Sequence, residues 1–514
     1  MIGKSGSSGV DSIRRIAEKL GDREFVVVSN RQPYSHEYSI DDEYETEGAE
    51  ITVEPAVGGL TAALDPVMSA VGGTWVAWGD GDADRDVAPD GHVAVPPDDP
   101  AYDLQRVWLD EEAVDGYYYG YSNRALWPLC HSDVARATFD IHEWEQYRRV
   151  NETFADAAVD AVEGDSPLVW FHDYHLALAP RMAKSRLPDK ATVAGFWHIP
   201  WPSVDIFRTC PQAEMLLSGL LGCDLIGFHT QRYCEQFFDC AEQILDVSVD
   251  RATGRVRHPG GTTTVRPFPL GTDAERQRTL SDSEDAAMFW QSFEREYGLE
   301  DVRVAVGVDR LDYTKGLVER LDGIERFLET HPEWHGRFTY VGKLSESRMR
   351  IPAYRRYRDQ VKARIESIND RFAIDDWQPI IPLSDRLSSS ELAGLYRGAD
   401  LALVTPVRDG MNLVAKEYVA ASNDGVLVLS DLAGSHEELD GGAITINPND
   451  TSSVSDAIAC SLTMPASERQ RRLATLQQTV HSHQVYDWLE DILGTARIVG
   501  TDRAQPELGQ PTAD

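Results

Sequence analysis

The chain has 514 residues, of which 42% are hydrophobic, and this length predicts two or more domains, each with a core of its own. Its 85 acidic and 49 basic residues give a formal net charge of −36, which argues against binding to nucleic acids and to anionic membranes. Only eight residues are lysines, and a lysine-poor acidic surface is typical of proteins that work in concentrated salt. We therefore expect a halophilic host. The alternative is an ordinary acidic enzyme, and activity measured against salt distinguishes the two.

The start of the chain shows no apolar segment with the flanks of a signal peptide, and nowhere do about eighteen apolar residues run together. The six cysteines have no C-x-x-C spacing, which predicts neither a disulfide framework nor a zinc site. We expect a reduced, cytoplasmic protein without a membrane span.

Residues 1–22 are polar and then weakly helical, and we assign this N-terminal extension no role. Beyond them, short apolar runs alternate with helical segments, which predicts an α/β architecture with mainly parallel sheets. The predicted strands are 25–29, 168–171, 193–197, 225–228, 302–308, 338–341, 401–404 and 426–429. A Gly/Thr/Arg-rich stretch at 251–264 interrupts the alternation, and we place a domain boundary near residue 273. Residues 501–514 are predicted to form a disordered tail.

Arg31 stands at the carboxyl end of the first predicted strand, in the sequence SNR, where ligands of parallel sheets bind. A lone arginine at a strand end is also common as a structural or exposed residue. Gly58 and Gly59 follow, directly before a helical segment, where a glycine pair lets the backbone approach a ligand or forms an ordinary turn. Taken singly, each of these residues indicates a site only weakly.

Tyr118 and Trp127, in GYYYGYSNRALWP, have side chains that can line a sugar face or pack in a core. Asp173 lies between His172 and His175 after a buried strand. Two histidines around one carboxylate lack the further ligand that a metal site needs, so we interpret Asp173 as a hydrogen-bonding group.

His198 follows the next predicted strand, in GFWHIPWP, where Pro200 and Pro202 stiffen the chain. The sequence leaves open whether this histidine faces a ligand or is a satisfied core residue.

Arg310 and Lys315 are five residues apart around a turn that follows a strand, in VRVAVGVDRLDYTKG. Two fixed cations at a strand end suit the two phosphates of a nucleotide sugar and the charge of a departing diphosphate. The alternative is a surface ion pair with Asp309 or Asp312. Arg348, in SESRMR, is a less specific candidate for an anion contact.

The run VTPVRDGMNLVAKE, residues 404–417, combines the end of a buried strand, a loop and the start of a helix. Asp409, Gly410, Met411 and Asn412 form the loop, whose backbone can approach a polyhydroxyl or phosphate group because Gly410 has no side chain. Glu417 lies one turn inside the helix that begins at 413, near enough to accept hydrogen bonds from ligand hydroxyls.

Across residues 24–495 the chain contains, in order, SNR, the glycine pair, YYYGYSNRALWP, HDYHL, HIPWP, DRLDYTKG, SESR and TPVRDGMNLVAKEY. These motifs and their order resemble those of the trehalose-6-phosphate synthases. The resemblance implies a GT-B fold, with two Rossmann-like domains whose parallel sheets face each other across a catalytic cleft. The implied boundaries are 23–273 for the acceptor-binding domain, 274–480 for the nucleotide-sugar-binding domain, and 481–500 for a helix that returns to the first domain.

The resemblance also implies transfer of glucose from a nucleoside-diphosphate glucose, with UDP-glucose expected, to glucose 6-phosphate, with retention at the anomeric carbon. Implied acceptor contacts are Arg31, Tyr118, Trp127, Asp173 and Arg348. Implied donor contacts are Gly58, Gly59, His198, Arg310, Lys315, Asp409, Gly410, Met411, Asn412, Leu413, Val414 and Glu417. Asp173, His198, Arg310, Lys315 and Asp409 are the residues implied in catalysis.

In this family the leaving phosphate itself accepts the proton of the acceptor, so no enzyme nucleophile is implied. The sequence agrees, because it shows no plausible Ser/His/Asp set, and we expect no metal or other cofactor. Segment 35–55 departs from the family pattern as a long acidic connection, and of two interpretations, a mobile lid or a solvated insertion, we favour the insertion.

Two alternatives stay open: a related transferase with another phosphorylated acceptor, such as a glucosylglycerol-phosphate synthase, and a non-catalytic sugar-phosphate sensor. The motifs do not encode the nucleotide base, which backbone groups near 383–387 can read. They also leave open whether the chain forms a homo-oligomer.

Overall fold

The computed structural model describes residues 9–39, 50–56 and 59–504. By internal contacts the chain divides into two compact units. Unit 1 comprises Met1–Phe268 and Tyr486–Asp514, and unit 2 comprises Pro269–Val485. The division falls a few residues before the boundary expected near 273. Across the described ranges, no helix combines the length and apolarity needed to cross a bilayer.

The strands are numbered here in chain order over the described residues. They are β1 (Phe25–Arg31), β2 (Tyr34–Tyr38), β3 (Ile51–Pro55), β4 (Thr74–Trp78), β5 (His92–Val95), β6 (Tyr102–Val107), β7 (Leu168–His172), β8 (Thr192–Trp197), β9 (Leu225–Phe228), β10 (Ser248–Asp250), β11 (Arg255–His258), β12 (Gly261–Pro267), β13 (Arg303–Arg310), β14 (Phe338–Ser345), β15 (Ile380–Leu383), β16 (Leu401–Val404), β17 (Val426–Ser430) and β18 (Ile444–Ile446). All eight predicted strands are confirmed. The stretch 251–264 interrupts the strand–helix alternation as expected, because β10, β11 and β12 follow one another with no helix between them.

The helices complete the secondary structure of the described residues. The α-helices are Gly9–Leu20, Gly59–Val71, Asp84–Val87, Glu111–Ala113, Trp127–Cys130, Ile141–Asp160, Ala179–Lys184, Val204–Phe207, Ala213–Leu220, Gln231–Ile244, Ala274–Ser281, Glu284–Glu296, Leu317–Thr330, Pro352–Phe372, Ser389–Gly398, Leu413–Ala421, His436–Leu439, Thr451–Thr463, Ala466–Ser482 and Val485–Ala504. Val114–Leu126 is a π-helical segment with a kink at Gly120. Single 3-10 turns are Tyr174–Leu176, Tyr313–Lys315 and Pro332–Trp334.

Both units contain a sheet of the Rossmann type. In unit 2 the strand order is β15-β14-β13-β16-β17-β18, and every neighbouring pair is parallel. In unit 1 the described residues form a sheet with the order β10-β11-β12-β9-β8-β7-β1-β4-β6-β5, parallel from β12 to β6 and antiparallel at its edges. In each sheet the order reverses beside its first strand, at β1/β7 and at β13/β16. Ligands of such sheets bind beyond the carboxyl ends of the strands at this switch point.

The two ends of the chain are structured further than the sequence indicated. In helix Gly9–Leu20, Ile16 is fully buried, while Arg15 and Lys19 form ion pairs of 3.0 and 3.2 Å with Glu490 of the last helix. The N-terminal extension therefore packs within unit 1. The last helix continues to Ala504, so residues 501–504 are not part of a tail. The remaining tail residues, 505–514, lie outside the described residues.

The acidic connection after Arg31 is not simply a solvated insertion, because β2 and β3 form an antiparallel hairpin. His36 of β2 is buried against Asp84, and Asp84 is fully buried and forms a 2.8 Å ion pair with Arg106. The side chain of Gln32 donates a 2.6 Å hydrogen bond to the same carboxylate. This buried network fixes the base of the hairpin, while residues 40–49 lie outside the described residues.

Candidate active site

The first cluster of predicted site residues lies at the switch point of the sheet in unit 2. β13 ends at Arg310, and helix Leu317–Thr330 begins soon after it. β16 is the neighbour of β13, and helix Leu413–Ala421 begins beyond its end. The N-termini of two helices therefore lie beside the ends of adjacent strands, where unpaired N–H groups and helix dipoles favour negative charge.

Lys315 and Asp409 meet at this edge. The Nζ atom of Lys315 lies 2.5 Å from Oδ2 of Asp409, and Nδ2 of Asn412 donates a 3.0 Å hydrogen bond to the same oxygen. The two paired side chains are 13% and 14% exposed, so they are partly shielded but reachable. Asn412 also caps the following helix, because its Oδ1 accepts a bond from the backbone N–H of Ala415. The loop of residues 409–412 thus brings an acid and a helix N-terminus next to the ammonium group of Lys315.

Close backbone packing sets the shape of this loop. A Cβ atom on Gly434 would lie 1.9 Å from the carbonyl oxygen of Gly410, and one on Gly316 would lie 2.1 Å from that of Thr405. Gly316 also has a φ of 63°, which favours glycine. The backbone N–H of Ser435 donates a 2.7 Å bond to the carbonyl of Met411. The loop is therefore held on one side by segment 434–435, and Gly434 leaves no space for a side chain.

The substitution Gly434→Ala is expected to displace the Asp409 loop and to lower the free energy of unfolding by about 1–3 kcal/mol, because the added methyl group overlaps the Gly410 carbonyl. Gly441→Ala is the matched control, since its nearest atom would be a side-chain carbon at 3.8 Å. Denaturation curves of both variants test this, and equal stability of the two would contradict it.

Lys315 pairs with neither Asp309 nor Asp312, the two acids considered above as surface partners for Arg310 and Lys315. Asp309 forms a 2.8 Å ion pair with Arg320, whose side chain is 1% exposed. Arg320 also donates a 2.9 Å bond to Thr405 Oγ1 and a 2.7 Å bond to the Tyr340 hydroxyl. This arginine therefore joins β13, β14 and the segment after β16 beneath the site. Burial raises the pKa of Asp309, and the charge of Arg320 opposes that rise.

Arg348 occupies a different position from Lys315. Its side chain is 4% exposed, and Nη1 lies 2.7 Å from the Tyr354 hydroxyl and 3.3 Å from Oδ2 of Asp312. Its φ of 53° is unusual for a residue with a side chain. The guanidinium is thus held inside unit 2 by a phenol and a carboxylate.

Glu417 lies on the first turns of helix Leu413–Ala421, half-buried, and accepts a 3.3 Å hydrogen bond from the hydroxyl of Tyr396. Burial raises the pKa of this carboxyl group above 4.5. Leu413 and Val414 are half-buried on the same turn, whereas Met411 is 4% exposed, so its side chain belongs to the core.

Unit 1 places a second set of predicted residues at its own switch point. Arg31 ends β1 and is exposed, and Asp173 directly follows β7, the neighbouring strand. Asp173 has a φ of 70°, and its Oδ1 accepts hydrogen bonds from the backbone N–H groups of Tyr174 at 3.0 Å and His198 at 3.2 Å. The carboxylate is therefore held in a fixed position between the ends of β7 and β8.

Three histidines stand where β7, β8 and β9 end. Nδ1 of His172 lies 3.1 Å from Nε2 of His198, and the ring of His229 is 5.5 Å from that of His198. Burial lowers the pKa of His172 to about 3, and burial together with the neighbouring imidazoles lowers that of His198 well below 6.5. Both rings are therefore neutral at physiological pH, and His198 acts as a hydrogen-bonding group. Within the described part of the chain, no group of three His, Cys, Asp or Glu has the geometry of a metal site.

The aromatic candidates differ from each other. Tyr118 is half-buried and stacks on His175 with a centroid distance of 5.8 Å. Trp127 is 5% exposed and packs against His131 and Tyr174. Gly59 begins helix Gly59–Val71, and Gly58 lies outside the described residues.

Sequence reasoning missed Arg320 and His229. Arg320 gave no signal, because an arginine in an amphipathic helix is ordinarily exposed. His229 had one: it follows the predicted strand LIGF just as His198 follows the strand before it.

Two Rossmann-type units with polar groups at both switch points fit a glycosyltransferase of the GT-B class, and comparisons with known proteins show that class. The model of glycosyltransferase family 20 matches residues 23–497. The UDP-forming α,α-trehalose-phosphate synthase of Schizosaccharomyces pombe is 33% identical over 95% of this chain and 93% of its own length. The bifunctional trehalose-6-phosphate synthase/phosphatase of Thermoproteus tenax is 36% identical over 91% of this chain, which spans 62% of that protein.

Solved structures give the same result. Trehalose-6-phosphate synthase of Escherichia coli with bound UDP-2-fluoroglucose has a TM-score of 0.81 and 30% identity, covering 92% of this chain and 99% of that one. The Burkholderia xenovorans synthase in complex with glucose 6-phosphate gives the same scores and coverage. This chain belongs to glycosyltransferase family 20, and the resemblance inferred from its motifs is confirmed.

Proposed function

We propose that this protein transfers glucose from UDP-glucose to glucose 6-phosphate, with retention, to form trehalose 6-phosphate. The observation that carries the proposal is the Lys315–Asp409 pair at the switch point of unit 2, in a chain that matches family 20 over nearly its whole length. The named substrates of relatives in both solved complexes support the choice of donor and acceptor.

Donor binding is proposed for the switch point of unit 2. Arg310, Lys315 and the two helix N-termini supply positive charge for the diphosphate, and the Asp409–Val414 segment offers backbone N–H groups and one acid for the glucose. Glu417 is proposed to accept hydrogen bonds from the ribose, and Gly59 to leave space for the diphosphate. His198 is proposed as a neutral contact to the glucose.

Acceptor binding is proposed for Arg31, Tyr118 and Asp173 of unit 1, with Arg31 on the phosphate and Asp173 on hydroxyls near the reacting oxygen. Trp127 and Arg348 are proposed in the same role, although both are held by protein contacts.

In the proposed reaction, the acceptor hydroxyl attacks the anomeric carbon of the donor glucose from the face on which the phosphate leaves. The bond between the anomeric carbon and the phosphate oxygen breaks, and that oxygen takes the proton of the hydroxyl. Lys315 and Arg310 would neutralise the negative charge that accumulates on the departing diphosphate. Asp409 is unsuited to be a nucleophile, because its Oδ2 is already engaged by Lys315 and Asn412.

The decisive experiment measures nucleoside diphosphate release from UDP-, GDP- and ADP-glucose with glucose 6-phosphate or glycerol 3-phosphate, at low and high salt. Turnover with UDP-glucose and glucose 6-phosphate is expected, with an optimum in concentrated salt if the host is halophilic. Turnover only with glycerol 3-phosphate would favour the alternative transferase, and binding without turnover would favour a sensor. We also propose a cytoplasmic location and a homo-oligomeric assembly for this protein.

The substitution Glu417→Gln is expected to stabilise the protein while weakening UDP binding. Because burial raises the pKa of Glu417, its ionised form costs stability once the pH exceeds 4.5, the ordinary value, and that cost persists at neutral pH. Glutamine removes it, so the gain in melting temperature should be present at pH 7 and absent below pH 4.5. Loss of a charged acceptor for the ribose should weaken UDP affinity about tenfold.

Glu366→Gln, at an exposed position of helix Pro352–Phe372, is the control and should change neither quantity. Melting curves against pH, combined with UDP titrations, would contradict the assignment if Glu417→Gln lost stability at pH 7 or kept full affinity.

A further inference from the structure

A cavity of ≈ 810 Å³ lies in unit 1, away from the strand ends described above. It is lined by the segment that leads into β9, by the start of β12 and by the end of helix Ala179–Lys184. Its position is therefore at the amino-terminal edge of the sheet, whereas His198 and His229 stand at the carboxyl edge, about 13 Å away along a four-residue strand. The volume is in the range of pockets that hold small molecules.

Basic side chains cluster around this cavity, although the net charge of the chain is −36. Arg181, Lys184 and Arg255 line it, against two acids, Asp189 and Asp224. Lys184 pairs with Asp224, so that acid is already neutralised. Arg181 forms no ion pair within the described residues, and its Nη1 reaches only the carbonyl of Ser218, at 3.4 Å. The balance of charge around the open space is positive.

Two backbone carbonyls at this edge already accept hydrogen bonds from side chains. The hydroxyl of Thr263 donates to the carbonyl of Cys223 at 2.7 Å, and Lys184 Nζ donates to that of Ala191 at 3.4 Å. His258 also lines the cavity, and burial and the nearby charge of Arg181 lower its pKa, so its ring is neutral. The site therefore favours an anion over a metal ion.

We propose that this cavity binds a phosphorylated polyol or sugar as a second ligand, distinct from the two substrates of the transfer reaction. Arg181 and Arg255 would hold the phosphate group, because guanidinium groups bind phosphate through two parallel hydrogen bonds. The hydroxyls of Ser185, Thr262 and Thr264, which also line the cavity, would meet the ligand hydroxyls.

Titration calorimetry with glucitol 6-phosphate on the full-length protein tests this proposal. Binding should persist in Arg31→Ala, which removes the proposed acceptor phosphate contact, and should weaken about tenfold or more in Arg181→Gln. Arg186→Gln is the matched control, since Arg186 is exposed, pairs with Asp156 and does not line the cavity. Affinity should fall with added salt, as screening requires.

Thr262 gives a second test that does not depend on removing an arginine. It is exposed on β12 and faces the cavity, so Thr262→Glu should weaken binding several-fold while Thr262→Lys strengthens it. Absence of binding to the wild-type protein would overturn the proposal. So would binding that is lost in Arg31→Ala, that is insensitive to Arg181 and Thr262, or that falls equally in Arg186→Gln.

Discussion

Replacement of Lys315 by methionine is expected to lower the turnover number by a factor of about 10²–10³, the usual effect of removing one donor that stabilises charge in a transition state. Lys315 is the cation placed at the switch point of unit 2, and its ammonium group is held 2.5 Å from Asp409. Methionine keeps most of the stem but removes the charge. The departing diphosphate would then lose a neutralising partner just as its charge increases.

Steady-state kinetics with UDP-glucose and glucose 6-phosphate provide the measurement, and a melting curve confirms that the variant folds. Lys362→Met is the matched control, because Lys362 is an exposed lysine of unit 2 on helix Pro352–Phe372. A turnover number of the Lys315 variant within threefold of the control would remove Lys315 from the proposed chemistry.

Replacement of Arg320 by methionine is expected to lower the free energy of unfolding by about 3–5 kcal/mol, because it breaks a buried ion pair and leaves the other charge uncompensated. Asp309, the partner, is 5% exposed, so water cannot replace the lost guanidinium. Thr405 and Tyr340 would lose hydrogen bonds as well. Activity should fall with stability, since the same arginine joins the strand ends that carry Arg310 and the Asp409 loop.

Chemical denaturation gives the stability change, and Arg326→Met on an exposed position of the same helix is the control. The double variant Asp309→Asn/Arg320→Met should lose less stability than the sum of the single variants, because the neutral amide no longer needs a cation. Strict additivity of the two losses would contradict a coupled buried pair.

Several elements of this fold are readable from local sequence. Runs such as LIGF and LALV are short, apolar and fully buried on both faces, which is why β9 and β16 were predicted with the bounds that the structure gives them. β6 and the β10–β12 region were missed, because their polar residues break the apolar runs. The hairpin of β2 and β3 was missed for a related reason: its acidic composition indicated solvent, while His36 is buried by a network formed with Asp84 and Arg106.

The sequence by itself determined the family and the α/β class, and it supplied the candidate site residues, because these depend on short motifs and on local periodicity. Only the tertiary structure decided which of those residues meet. Lys315 and Asp409 are 94 positions apart, and they pair because β16 returns to lie beside β13 after β14 and β15 have been added on its other side. Strand order is set by the packing of the whole sheet, so Lys315 pairs with Asp409, whereas Asp309, one of the two acids considered as its partner, pairs with Arg320.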